Sequence, residues 1–109
     1  MFSHIIELTA KPGQAQLLVT AIHDRAIPEV IKQAEGFIDQ IVLVSATDPE
    51  HVTAISFWNS KESGDRFFQH GFREVSAITA PFLSAKPESH EFSVAASTNE
   101  RIRACDGKK

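Results

Sequence analysis

Hydrophobic and polar positions along the chain follow two different periods. "FSHIIELTA" places Ile5, Ile6 and Leu8 close together in a short extended run, the pattern of a strand with apolar character on both faces. "KPG", Lys11 to Gly13, ends it as a turn. From Gln14 the spacing becomes helical: Leu18, Ala21 and Ile22, then Ile27, Val30, Ile31 and Ala34. The two sets are out of phase, and Pro28 lies between them. An interior proline removes a helical hydrogen bond and crowds the preceding turn, so a kink or break is expected near Ala26–Pro28. Either one bent helix or two short ones would satisfy it, with Gly36 as a stop. "FIDQIVLVSA" and "VTAISFW" are β-branched runs joined by the turn chemistry of "TDPEH", which predicts an antiparallel hairpin. Asn59 and Glu62 have capping-box spacing for a helix through "SKESGDRFFQH", with Gly64 a weak point. Gly71 should break that helix before "FREVSAITAPFL" resumes it, and "HEFSVAAST" reads as a last strand.

The order strand, helix, strand, strand, helix, strand fits an α+β, ferredoxin-like βαββαβ plan. It is a four-stranded antiparallel sheet with helices on one face. Right-handed crossovers put the first and third strands at its centre. Residues 1–98 would form this domain and residues 99–109 a loose tail, with Ile102 able to tuck against a neighbour. Alternation along the second strand sets Ile38, Val42 and Val44 on one side and Phe37, Ile41 and Leu43 on the other. A sheet with one wet face alternates more cleanly. Face-to-face packing of two sheets in a homodimer would cover the second apolar side.

Composition narrows the function classes. A length of 109 residues fits one domain, and a net charge of −3 argues against a general nucleic-acid footprint. Cys105 is the single cysteine, so no intramolecular disulfide forms, which suits a reducing, cytoplasmic setting. "MFSHIIELTA" lacks the basic opening of a secretory signal, and no apolar run reaches the length of a membrane span. "VTAISFW" lacks the basic and glycine positions of an RNA-recognition strand, so neither nucleic acid nor membrane is an expected partner. There is no phosphate loop and no nucleophile elbow.

Several side chains could carry chemistry. Trp58, the sole tryptophan, closes the third strand, either as a core residue or as a pocket wall stacking on a flat ligand. His4, His23, His51, His70 and His90 show no close metal-ligand spacing, so no metal or other cofactor is expected. His51 falls in a turn. His4 and His90 fall on neighbouring strands and could face each other as a structural pair. His23 and His70 fall on helices and could exchange a proton near neutral pH. Arg25 and Arg66 sit on solvated helix faces paired with carboxylates, or point inward to an anionic ligand.

The segment "AEGFIDQIVLVSATDPEHVTAISFWNSKES" resembles the centre of the antibiotic biosynthesis monooxygenase domain family. It shares a glycine–aromatic step into the second strand, a polar turn, and a third strand ending in Trp before a Ser- and Glu-containing helix start. "ESHEFSVAAST" resembles the family's last strand, and the resemblance covers about residues 2 to 98. It implies a dimeric α/β barrel with a pocket in each protomer between sheet and helices. It also implies, as the favoured function, a cofactor-independent monooxygenase acting on a flat aromatic or quinol-type small molecule. His23 or His70 would then be catalytic, and Trp58, Phe57, Phe67, Phe68, Phe72 and Arg25 would bind substrate. The haem-degrading branch pairs the Trp with an Asn on the first strand and a His on the second long helix. Here that strand has no Asn, and Ser76 and Ala77 follow "GFREV". The alternative is a non-catalytic dimeric module for ligand binding or assembly.

Overall fold

The computed structural model describes residues 1–102. Cys105 therefore lies outside the described residues. Strands β1 (Phe2–Thr9), β2 (Phe37–Val44), β3 (His51–Trp58) and β4 (Glu88–Ser93) form one antiparallel sheet in the order β2-β3-β1-β4. The first and third strands are central, as the crossover rule requires. The helices α1 (Ala15–Ala21), α2 (Lys61–His70) and α3 (Phe72–Thr79) complete the ferredoxin-like α+β plan. Gly71 ends α2 and opens α3, so the expected break divides the second helical stretch.

The phase slip in the first helical stretch resolves as neither a bend nor a gap. After Ala21 the chain continues as a π-helix over Ile22–Val30 that contains Pro28, then a 3₁₀ turn over Ile31–Gln33. The wider π turn, with its longer-range hydrogen bonds, moves the buried stripe on by an extra residue. Leu18, Ile22, Ala26 and Val30 thus share one buried side.

The second helix starts one residue later than its sequence spacing suggests. Ser60, not Asn59, is the N-cap, and its Oγ accepts from Ser63 N at 3.1 Å. Asn59 Oδ1 instead accepts from Ser63 Oγ at 2.9 Å, and Asn59 N donates to Gly36 O at 2.8 Å. Gly36 has φ +84°, and a Cβ there would collide with Ser63. The turn before β2 can therefore press against the start of α2 only through a glycine. Gly64 meets a similar constraint, since a Cβ would come within 2.7 Å of the Phe2 ring. What reads as a weak point in a helix is a close helix–strand crossing.

Strand alternation assigns the two sheet faces. Phe2, His4, Ile6 and Leu8 pair with Trp58, Ser56, Ala54 and Val52, and both sets point toward the helices. On β2 a bulge between Phe37 and Asp39 reverses the alternation. Phe37 consequently shares the inner face with Gln40 and Val42, which corrects its sequence-based placement beside Ile41 and Leu43. The guanidinium of Arg101 donates to Ile38 O at this bulge (2.9 Å), and Ile102 is buried. Residues just past the last strand thus lie against the domain.

Candidate functional site

The inner sheet face and the helices line a narrow cavity of about 40 Å³. Its wall is mostly apolar, with Ile6, Leu8 and Ala54 from the sheet and Ile22, Ile31 and Val75 from the helices. One side is aromatic. Trp58 is fully buried and stacks on Phe67 at a centroid distance of 5.0 Å. Phe67 meets Phe68 edge-on, and Phe68 stacks on Phe72 at 4.8 Å. Spacing of 67, 68 and 72 brings these rings together across the Gly71 break. Contacts of this kind add to the area term for burying aromatics.

Three polar side chains join the wall: Ser56, Thr79 and Gln40. Ser56 Oγ accepts from Trp58 Nε1 at 2.9 Å, which fixes the indole. The Thr79 hydroxyl bonds back to Val75 O at 3.1 Å. Gln40 differs, because its Oε1 is buried without a hydrogen-bond partner among the described residues. Such an unmet acceptor costs about 1–3 kcal/mol unless water or a ligand meets it. Among the described residues, no ionisable side chain lines the cavity.

His4 lies behind this wall, stacked on Phe68 at 3.6 Å and edge-on to Phe2 at 5.1 Å. Desolvation holds its imidazole below the usual value, against the opposing pull of Glu91 and Asp65 and with a smaller lowering from Lys61.

The structure gathers only some of the expected site residues. Trp58, Phe67, Phe68 and Phe72 line the cavity. Phe57 does not: it alternates with Trp58 and points to the opposite face of the sheet. His23 is exposed and contacts Asp24 at 2.8 Å, and Arg25 is exposed beside it, because the π-helix turns the 23–25 edge to solvent. His70 is exposed at the end of α2, where it borders a surface groove with Glu29, Arg66 and Glu74 rather than the cavity. Arg66 pairs with Glu35 at 2.8 Å. His4 and His90 do not face each other, because His4 pairs with Glu91 and His90 with Ile5, on opposite sides of the sheet. Sequence reasoning missed Gln40. A lone amide among "IVLV" residues was a possible signal, but the bulge hid which face it takes.

The sequence model of the family described as antibiotic biosynthesis monooxygenase matches residues 1–77. The chain belongs to this family. No curated protein matches the chain. Solved structures share the fold of this family member. SnoaB of Streptomyces nogalater, a cofactor-independent oxygenase solved as a mutant, superposes with a TM-score of 0.71 at 16% identity, covering 91% of this chain and 97% of that one. A monooxygenase from the gene ActVA-Orf6 of Streptomyces coelicolor, bound to nanaomycin D, gives 0.68 at 19% identity, with 84% of each chain covered. A protein of unknown function from Nitrosomonas europaea gives 0.73 at 19% identity, covering 90% of this chain and 92% of that one. No helix among the described residues is long and apolar enough to cross a membrane.

Proposed function

We propose that this family member is a cofactor-independent monooxygenase of a flat aromatic or quinol-type small molecule. The observation that carries this reading is the aromatic cavity with one buried, unpartnered amide oxygen at Gln40. A phenol, quinol or enol hydroxyl would donate to Gln40 Oε1 while its ring lies along Trp58, Phe67, Phe68 and Phe72. The cavity is smaller than a tricyclic ligand, so entry moves the α2–α3 corner outward about Gly71. With anthrone as substrate, its enol tautomer would donate to Gln40 Oε1, and ionisation sends the proton to water, since no side-chain base among the described residues lines the wall. The carbanion then reacts with dioxygen to give a peroxide at the methylene carbon. Loss of water leaves a ketone: one dioxygen atom stays on carbon, the other leaves as water, and the two C–H bonds supply the electrons. His23 and His70 lie outside this path. The oxidised product needs no external reductant.

Two further expectations belong to the same proposal. The outer sheet face exposes Ile41, Leu43 and Phe92, and a second copy of the chain would cover it as a face-to-face homodimer. A single cysteine suits a reducing cytoplasm.

A second reading is favoured by the lack of an ionisable wall residue among the described residues: a dimeric module that binds such a ligand without turning it over. Trp58, as the sole tryptophan, reports binding directly. Adding anthrone should quench its fluorescence saturably and should consume one dioxygen per anthraquinone formed. Gln40→Leu should weaken binding about tenfold, the value of one buried hydrogen bond. Quenching without dioxygen uptake would establish the binding module instead, and absence of both would refute both readings.

A further inference from the structure

Outside the cavity, three elements bring together a histidine and two carboxylates. His4 on β1, Asp65 on α2 and Glu91 on β4 place their ligating atoms within 4.8 Å of one another. His4 is only 3% exposed, and neither ring nitrogen has a hydrogen-bond partner among the described residues. A buried imidazole beside two carboxylates ordinarily hydrogen-bonds to one of them, because an unmet polar group in the interior is costly. Here the carboxylates stay out of hydrogen-bonding reach. A cation already meets both carboxylates: Lys61 Nζ is 2.6 Å from Asp65 Oδ2 and 3.7 Å from Glu91 Oε1, and it sits 5.7 Å from the centre of the Phe2 ring.

We propose that His4, Asp65 and Glu91 bind a divalent transition-metal ion, with zinc as the reference case, and that Lys61 stands in for it when it is absent. One imidazole nitrogen and two carboxylate oxygens form a mixed donor set suited to zinc, with a fourth position left to water. Donors on a tetrahedral zinc lie about 3.4 Å apart, from bonds of roughly 2.1 Å at the tetrahedral angle, so the widest gap must close by about 1.4 Å. Asp65 and Glu91 can supply that movement, because their side chains are 33% and 50% exposed. Lys61, at 64% exposure, can swing to solvent. The ion would replace a single positive charge by two, neutralising both carboxylates, and would meet the orphaned imidazole nitrogen. It would also tie the edge strand β4 to the centre of the sheet and to α2. The three positions are 61 and 26 residues apart in sequence, so no spacing motif could reveal them.

The test is calorimetric titration of the tag-free full chain with zinc chloride, with thermal unfolding followed in parallel. One equivalent should bind saturably and raise the melting temperature. His4→Phe keeps the stack on Phe68 and should weaken zinc binding by at least about tenfold, and Glu91→Gln should do the same. If His4→Phe fails to fold, Glu91→Gln decides. Lys61→Met removes the competing ammonium and should tighten binding. Absence of saturable binding by the wild type would overturn the site. So would zinc binding that Glu91→Gln and a folded His4→Phe leave unchanged, because other surface groups would then hold the ion. Calcium binding of the same strength that ignores His4→Phe would overturn it as well.

Discussion

The two faces of the sheet carry similar apolar residues but differ in how far their polar groups are met. On the outer face Glu7 Oε1 accepts from the Thr53 hydroxyl at 2.6 Å and contacts His51 Nε2 at 2.8 Å. The polar groups of this trio bond to one another across neighbouring strands. On the inner face Ser56 and Trp58 pair, but the buried Gln40 oxygen and both His4 nitrogens have no partner among the described residues. Internal pairing stabilises a fold without inviting a ligand. Unpaired groups in the interior carry a standing cost that binding could relieve. The contrast therefore separates structural polarity from candidate sites more sharply than residue type does, since each face has its histidine.

Trp58→Ala on the inner face should test the comparison hardest. Trp58 is fully buried, so its loss should cost about 3–5 kcal/mol in chemical denaturation. A cost under about 1 kcal/mol would show that the indole lines a void rather than a core. Gly64→Ala comes next. Overpacking against Phe2 costs about 1–3 kcal/mol, and the gain in helix propensity returns about 1, so a net loss of about 1 kcal/mol is expected from the urea midpoint. Stabilisation instead would mean that α2 shifts freely on β1.

The outer face should respond in association rather than in folding. Leu43→Glu, at a site 49% exposed, should change the stability of the isolated protomer by no more than about 0.5 kcal/mol. It should also lower the dimer fraction seen by analytical ultracentrifugation; an unchanged sedimentation profile would remove this face as the dimer contact. Glu7→Gln should give the smallest effect, and one that depends on pH. The Thr53 hydroxyl, with help from His51, holds the Glu7 carboxyl below its ordinary 4.5, although burial opposes this. A depressed carboxyl adds stability that is complete above that ordinary value and is lost as pH falls through the folded one. Melting temperature should therefore drop more steeply below pH 4.5 in wild type than in Glu7→Gln. Parallel curves would mean that the trio adds nothing to folding.

The family came from resemblance and the central pair from the crossover rule; sequence periodicity was enough for the individual elements, because burial imposes those patterns along the chain. It also singled out Trp58, Phe67, Phe68 and Phe72, since large aromatics at a strand end and at helical spacing must find a common interior. Phe57, His23, His70 and Arg25 lie away from the cavity wall. A strand turns successive residues to opposite faces, and a π segment shifts which edge of a helix meets water. The cap moved from Asn59 to Ser60 because Asn59 is committed to Gly36 and Ser63.

What the sequence determined by itself is thus what repeats locally: the period of each element, its turns and its family pattern. Only the tertiary structure decided which polar atoms go without partners. The β2 bulge turns Gln40 to the inner face, and the pairing of β1 with β4 brings His4 beside Glu91 while α2 supplies Asp65. These are relations between residues far apart in the chain, set by register and helix placement, so they leave no local pattern to read.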